Sequence, residues 1–170
     1  MRRGSQHPPR GTGGGFVCSI GVPLWFPEEN VPITLKEVGN GAGIIFDCEG
    51  VVTGQDMLQA SKQLLSSEEK LKEWLFGLID HTNVTSADYT TADLRALAEL
   101  DKTISPIARK GAVIAIVAPS DVQYGLSRMW QALVEGTVWE TMVCRSREDA
   151  QSWIKRKVKD NFGIDLIIAT

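Results

Sequence analysis

Residues Trp74–Leu100, WLFGLIDHTNVTSADYTTADLRALAEL, decide how this chain is read. The segment opens on an apolar run (Trp74, Leu75, Phe76, Leu78, Ile79) that stops at Asp80-His81. A polar loop is expected next, and then a helix that opens at Thr90 with Asp93 three residues on. A hydroxyl and an acid at that spacing form the Asp variant of a capping box, which satisfies amide protons that a helix start leaves orphaned. A buried strand, a polar rim and a capped helix in series frame a site on an α/β sheet.

The same grammar runs outward in both directions. Thr53 with Asp56, Ser120 with Gln123, and Ser146 with Asp149 mark three more helix starts. An inner face at helical spacing follows each cap: Met57, Leu58, Ser61, Leu64 and Leu65; Leu94, Leu97, Ala98 and Ile104; Leu126, Trp130, Leu133 and Val134; Ala150, Trp153, Ile154 and Val158. Gly111, Gly136 and Gly163 are natural stops for the last three helices. Short continuous apolar runs lie between them, Leu75–Ile79, Ala112–Ala118 and Val138–Val143, as the strands of a parallel sheet should. Upstream, Ile33-Thr34-Leu35, the turn Asn40-Gly41 and Gly43–Cys48 read as a hairpin. GNGAG in that turn joins strand to strand, whereas a dinucleotide-binding glycine loop joins strand to helix. The expected fold is α/β: a mixed, mostly parallel sheet of about five strands with an opening hairpin and four helices. Ile164–Ala169 is left as an extra strand, within the chain or across a homodimer.

Composition sets the outer limits. With 170 residues, 43% hydrophobic and 23% charged, residues 31–170 suffice for one domain with a real core. A net charge of −3 argues against nucleic acid as a partner, because phosphate neutralisation needs a basic surface. No apolar stretch approaches the roughly 20 residues that span a bilayer, so no integral membrane segment is expected. Cys18, Cys48 and Cys144 are an odd set without CxxC spacing, which suits buried thiols in a reducing cytoplasm. Residues 1–30, rich in Arg, Pro and Gly, read as a flexible N-terminal arm. FVCSIGVPLWF within the arm imitates a secretory signal, but Pro23 interrupts it and no small-x-small site follows.

From about Ile33 to Trp153 the chain resembles the SpoIIAA-like branch of the STAS domain family, small α/β domains related to bacterial anti-sigma-factor antagonists. The carriers are Gly50-Val51-Val52-Thr53, Leu78-Ile79-Asp80, Ala115-Ile116-Val117-Ala118-Pro119, Gly125-Leu126-Ser127-Arg128-Met129 and Glu148-Asp149-Ala150-Gln151-Ser152-Trp153. Antagonists of that family carry Asp-Ser-Ser-Gly at the start of the helix after the third strand, where a kinase phosphorylates a serine. Asp88-Tyr89-Thr90-Thr91 stands in that place, with only the aspartate matching. Members of the SpoIIAA-like branch commonly lack the serine motif.

The residue chemistry offers no catalytic set, no metal site and no cofactor. Asp80 and His81 stand where strand ends and helix N-termini meet; the structural reading has Asp80 accepting backbone amide protons and His81 at the surface. Arg128 is assigned a structural ion pair with Asp80 or Asp88, or an anion-pairing role. Trp130, Trp139 and Trp153 belong to the core, and one of them could line an apolar cavity. Cys48, between Asp47 and Glu49, should be a poor thiolate. The resemblance and the missing catalytic set together imply a non-enzymatic cytoplasmic module of bacterial regulation that contacts a protein partner. Its candidate partner-binding or switch residues are Asp80, His81, Asp88, Tyr89, Thr90 and Thr91. The alternative is a carrier of a small apolar ligand or lipid, which requires an enclosed apolar cavity of several hundred cubic ångströms, on the order of an ordinary ligand pocket. An enzyme using Asp80, His81 and Asp121 requires those side chains within hydrogen-bond reach of one another.

Overall fold

Why the sheet outgrows its neighbours at one end is written in its strand register. The computed structural model describes residues 31–66 and 68–168; the arm, with Cys18, lies outside them. Strands β1 (Ile33–Val38) and β2 (Gly43–Thr53) make the expected hairpin, antiparallel from Ile33↔Cys48 to Val38↔Gly43. β3 (Phe76–Asp88), β4 (Val113–Val117) and β5 (Glu140–Cys144) add in parallel, giving the order β1-β2-β3-β4-β5. β4 leaves β3 at Asp80↔Val117, and β1 leaves β2 at Cys48. Beyond those points Glu49–Thr53 and Asn83–Asp88 continue as a two-stranded ribbon. Register shifts at Asp47/Glu49 and Gly50/Val51 bend it, as bulges do.

The segment after Asp80, expected as a polar loop, is therefore strand. Non-local pairing with β2 supplies the backbone hydrogen bonds that its polar side chains gave no sign of. Five helices form where four were expected: α1 (Gly54–Leu65), α2 (Glu68–Glu73), α3 (Thr91–Ile104), α4 (Asp121–Leu133) and α5 (Arg147–Phe162). The added α2 is a short charged turn that buries only Leu71. α3 stops at Ile104 rather than near Gly111, because Pro106 cannot donate the next helical hydrogen bond. Thr53, Thr90, Ser120 and Ser146 are all N-caps, the first three with reciprocal boxes, and Gly163 is the left-handed C-cap of α5. Leu166 and Ile168 pack into the core without forming a strand over 164–168.

Alternation along the strands splits the core in two. Ile44, Phe46, Cys48, Ile79 and Ile116 face α1, α3 and α4, while Ile45, Leu78, Val113, Ala115 and Val117 face α5. The three tryptophans expected in the core divide between the layers, Trp130 and the partly buried Trp139 in the first and Trp153 in the second. α1 and α3 touch where Gly54 meets Asp93. A β-carbon at Gly54 would stand 2.3 Å from that of Asp93, so the two capped helix starts can cross only at a glycine.

Candidate functional site

β3 delivers its two central polar residues to opposite faces. Asp80, 2% exposed, points toward α5, where Arg147 donates to its Oδ2 at 2.9 Å. The Thr82 backbone N–H donates to its Oδ1 at 2.9 Å, so Asp80 does cap the adjacent backbone. His81, one residue on, lies on the α1/α3/α4 face and is 8% exposed. The expectation of a surface histidine fails because the strand continues past it. Arg128, expected beside Asp80 or Asp88, is exposed on α4 and donates instead to Gln131; Arg147 is the partner of Asp80.

His81 faces a cavity. A space of about 120 Å³ lies between the sheet and α1, α3 and α4, walled by Ile44, Phe46, Met57, Trp74, Ile79, Leu94, Leu97, Trp130 and Trp139 among others. It follows β3 from Gly77 through Ile79 to His81, a rise of about 13 Å. Ala87 and Tyr89 also line it, so the bent ribbon closes over the same space that the core strands open. At about 120 Å³ it is smaller than the several hundred cubic ångströms expected of a lipid carrier's pocket and nearer the roughly 150 Å³ apolar core cavity that takes benzene, because the helices close down on the sheet.

A few polar groups interrupt this wall. Neither ring nitrogen of His81 has a hydrogen-bond partner among the described residues, nor has the Tyr89 hydroxyl or the Trp139 indole N–H. Burial lowers the His81 pKa to about 4, against a smaller opposing pull from Asp80, so the ring is neutral at pH 7. Burial likewise raises the Tyr89 phenol well above its ordinary value. Asp101, inside α3, accepts the Trp130 indole N–H at 2.7 Å, and burial pushes its carboxyl up to about 7 despite that bond. Gln123 closes the α4 capping box with its Oε1 and donates its Nε2 to the Val84 carbonyl at 3.3 Å, tying α4 to the ribbon.

Asp101 and Gln123 went unnamed as site residues, although a signal existed. Asp101 continues the Leu94, Leu97, Ala98 spacing, so a carboxylate sits in the apolar stripe of α3.

The other candidates separate. Asp88, Thr90 and Thr91 are exposed, and Thr90 caps α3 with its hydroxyl 3.1 Å from the Asp93 N–H. Tyr89 turns inward between them. Asp80, His81 and Asp121 do not converge: Asp80 pairs with Arg147, Asp121 pairs with Arg145 at 2.8 Å, and His81 has no protein partner. Cys48 is buried and its thiol is pushed up to about 12, by burial first and then by Asp80 and Asp47. Among the described residues no cluster of His, Cys, Asp and Glu could hold a metal ion, and no helix is long and apolar enough to cross a membrane.

No protein-family model and no curated protein matches this chain. Among solved structures it is similar to an uncharacterised protein of the DUF3478 family with a SpoIIAA-like fold from Shewanella loihica PV-4. That likeness has 20% identity and a TM-score of 0.44, and covers 72% of this chain and 91% of the other. It assigns no role to any residue. The roles proposed below rest on the geometry of the chain itself.

Proposed function

We propose that this domain binds a small apolar molecule in the cavity between the sheet and α1, α3 and α4. The observation that carries this reading is the unfilled core itself. Protein interiors pack like organic crystals, and a void of this size forgoes dispersion and burial energy that a ligand would restore. Unpartnered polar groups on an otherwise apolar wall are the usual composition of a ligand pocket. Titration of the full chain with an apolar fluorescent probe tests it. Saturable one-to-one uptake is expected, weakened by Ser61→Leu, which fills the cavity from α1. Uptake that neither saturates nor responds to this variant removes the reading.

A second reading, regulatory contact with a protein partner, is supported by the exposed end of the ribbon. Asp88, Thr90 and Thr91 are exposed there, and Val51, 57% exposed, lies on the paired strand near Thr53↔Asp88. An exposed valine rimmed by polar residues is the composition of a small contact patch. Joint replacement of Val51, Asp88 and Thr91 should abolish capture of a partner by the purified chain; unchanged capture removes this second reading.

A further inference from the structure

The cavity's charge chemistry narrows what it accepts. None of its described lining residues is Lys or Arg. The ionisable groups on the wall are His81, Asp101 and Tyr89, and burial drives each toward its uncharged form. An anionic head would lose its hydration here and gain no cation, and an isolated buried charge costs far more than one hydrogen bond returns. A cationic head would have to hold Asp101 in its ionised form against its burial and its bond to Trp130, with both charges stripped of their hydration. A head that merely donates or accepts a hydrogen bond meets no such penalty.

His81 gives such a head a place to sit. A neutral imidazole presents one N–H donor and one bare nitrogen acceptor, and neither has a partner among the described residues. Its side chain is more than nine-tenths buried at the end of the Gly77-Ile79-His81 row. A buried donor left without an acceptor is destabilising, so the site favours whatever satisfies it. The rest of the row is hydrocarbon: Ile79, Ile44 and Phe46 flank the path from below, Leu94 and Leu97 from above.

Resting on the ligand-binding reading above, we propose that the cavity selects a small uncharged amphiphile, a short hydrocarbon chain ending in a hydroxyl, carbonyl or amide group hydrogen-bonded to His81. The chain lies along β3, and the head takes the place of the missing imidazole partner.

Three short-chain probes that differ only at the head test this on the full chain at pH 7: pentanol, pentanoate and pentane, each displacing the fluorescent probe. Pentanol is expected to bind most tightly and pentanoate most weakly. His81→Phe should weaken pentanol roughly tenfold, the worth of one such hydrogen bond, while leaving pentane unchanged. Pentane uptake by the variant also reports that its cavity is folded. Pentanoate binding as tightly as pentanol, or His81→Phe leaving pentanol unchanged, overturns the head-group assignment and leaves the cavity reading standing. Failure of all three probes, and of the fluorescent probe, overturns both.

Discussion

Trp130 and Asp101 form a buried hydrogen bond, 2.7 Å from indole nitrogen to carboxylate oxygen, that joins α4 to α3 across the wall of the cavity. Both side chains sit among apolar neighbours, so each is the remedy for the other's burial. Asp101→Ala strands the indole N–H and should lower unfolding free energy by about 1–3 kcal/mol. Trp130→Phe strands the carboxyl and also removes ring volume. The double variant should cost less than the two single variants added together, by about 1 kcal/mol, in a urea-unfolding cycle. Strict additivity would mean that the bond contributes nothing beyond packing.

Asp101 and His81 should give opposite pH dependences that mask each other. The Asp101 carboxyl is raised from its ordinary 3.8 to about 7 on folding, so between those values the folded state holds a proton that the unfolded state lacks. Stability from this group is full below about pH 4 and is lost as pH rises toward 7. The His81 pKa is lowered from 6.5 to about 4, so the unfolded state binds the extra proton and stability rises with pH over that interval. The native chain should therefore show a nearly flat profile between about pH 4 and 6.5. Asp101→Asn should expose a rising slope and His81→Phe a falling one, each approaching 1.4 kcal/mol per pH unit. Parallel slopes in the two variants would contradict the assignment of these groups.

The crossing of α1 and α3 makes Gly54 a sensitive position. An alanine methyl there would overlap the Asp93 side chain, whose carboxylate closes the Thr90 capping box. Gly54→Ala should destabilise by about 1–3 kcal/mol through overpacking, against the small gain that alanine brings to an ordinary helix position. Gly54→Ala combined with Asp93→Gly should relieve the overlap but forfeit the carboxylate half of the Thr90 box and add a helical glycine, leaving a residual loss of about 1 kcal/mol. Thermal unfolding of the two variants separates clash from cap.

What the bare sequence disclosed about this architecture follows the range of the interactions concerned. Thr53-Asp56, Thr90-Asp93, Ser120-Gln123 and Ser146-Asp149 are local pairs whose physics is complete within four residues, and all four mark helix starts. The continuation of β3 through Asn83-Val84-Thr85-Ser86 was hidden, because its hydrogen bonds come from Glu49–Thr53, more than thirty residues away. The same long-range pairing decides where His81 points. Ending the strand at Asp80 puts His81 at the surface, whereas extending it sends His81 inward by simple alternation with Gly77 and Ile79. The cavity leaves no mark in sequence at all, since Leu94, Leu97 and Trp130 look the same whether they meet across the core or stand apart.

Asp80 ties the two faces of β3 together electrostatically, and this sets up the last prediction. Its carboxylate is almost fully buried and is held by Arg147, whose own side chain is 34% exposed. Arg147→Met leaves a buried charge with only the Thr82 groups as partners. Because solvent reaches the arginine, the loss should be about 1–3 kcal/mol rather than the 3–5 of a fully buried pair. The same change should be felt across the strand, since the Asp80 charge already pulls the His81 pKa upward against burial. With the guanidinium gone, that pull is less compensated, and the His81 pKa should move up toward its ordinary value. Asp80→Asn in the same background should reverse both effects, restoring part of the stability and sending the His81 pKa back down. NMR titration of the imidazole reads the shift directly. A His81 pKa indifferent to both changes would show that the two faces of β3 are electrostatically separate.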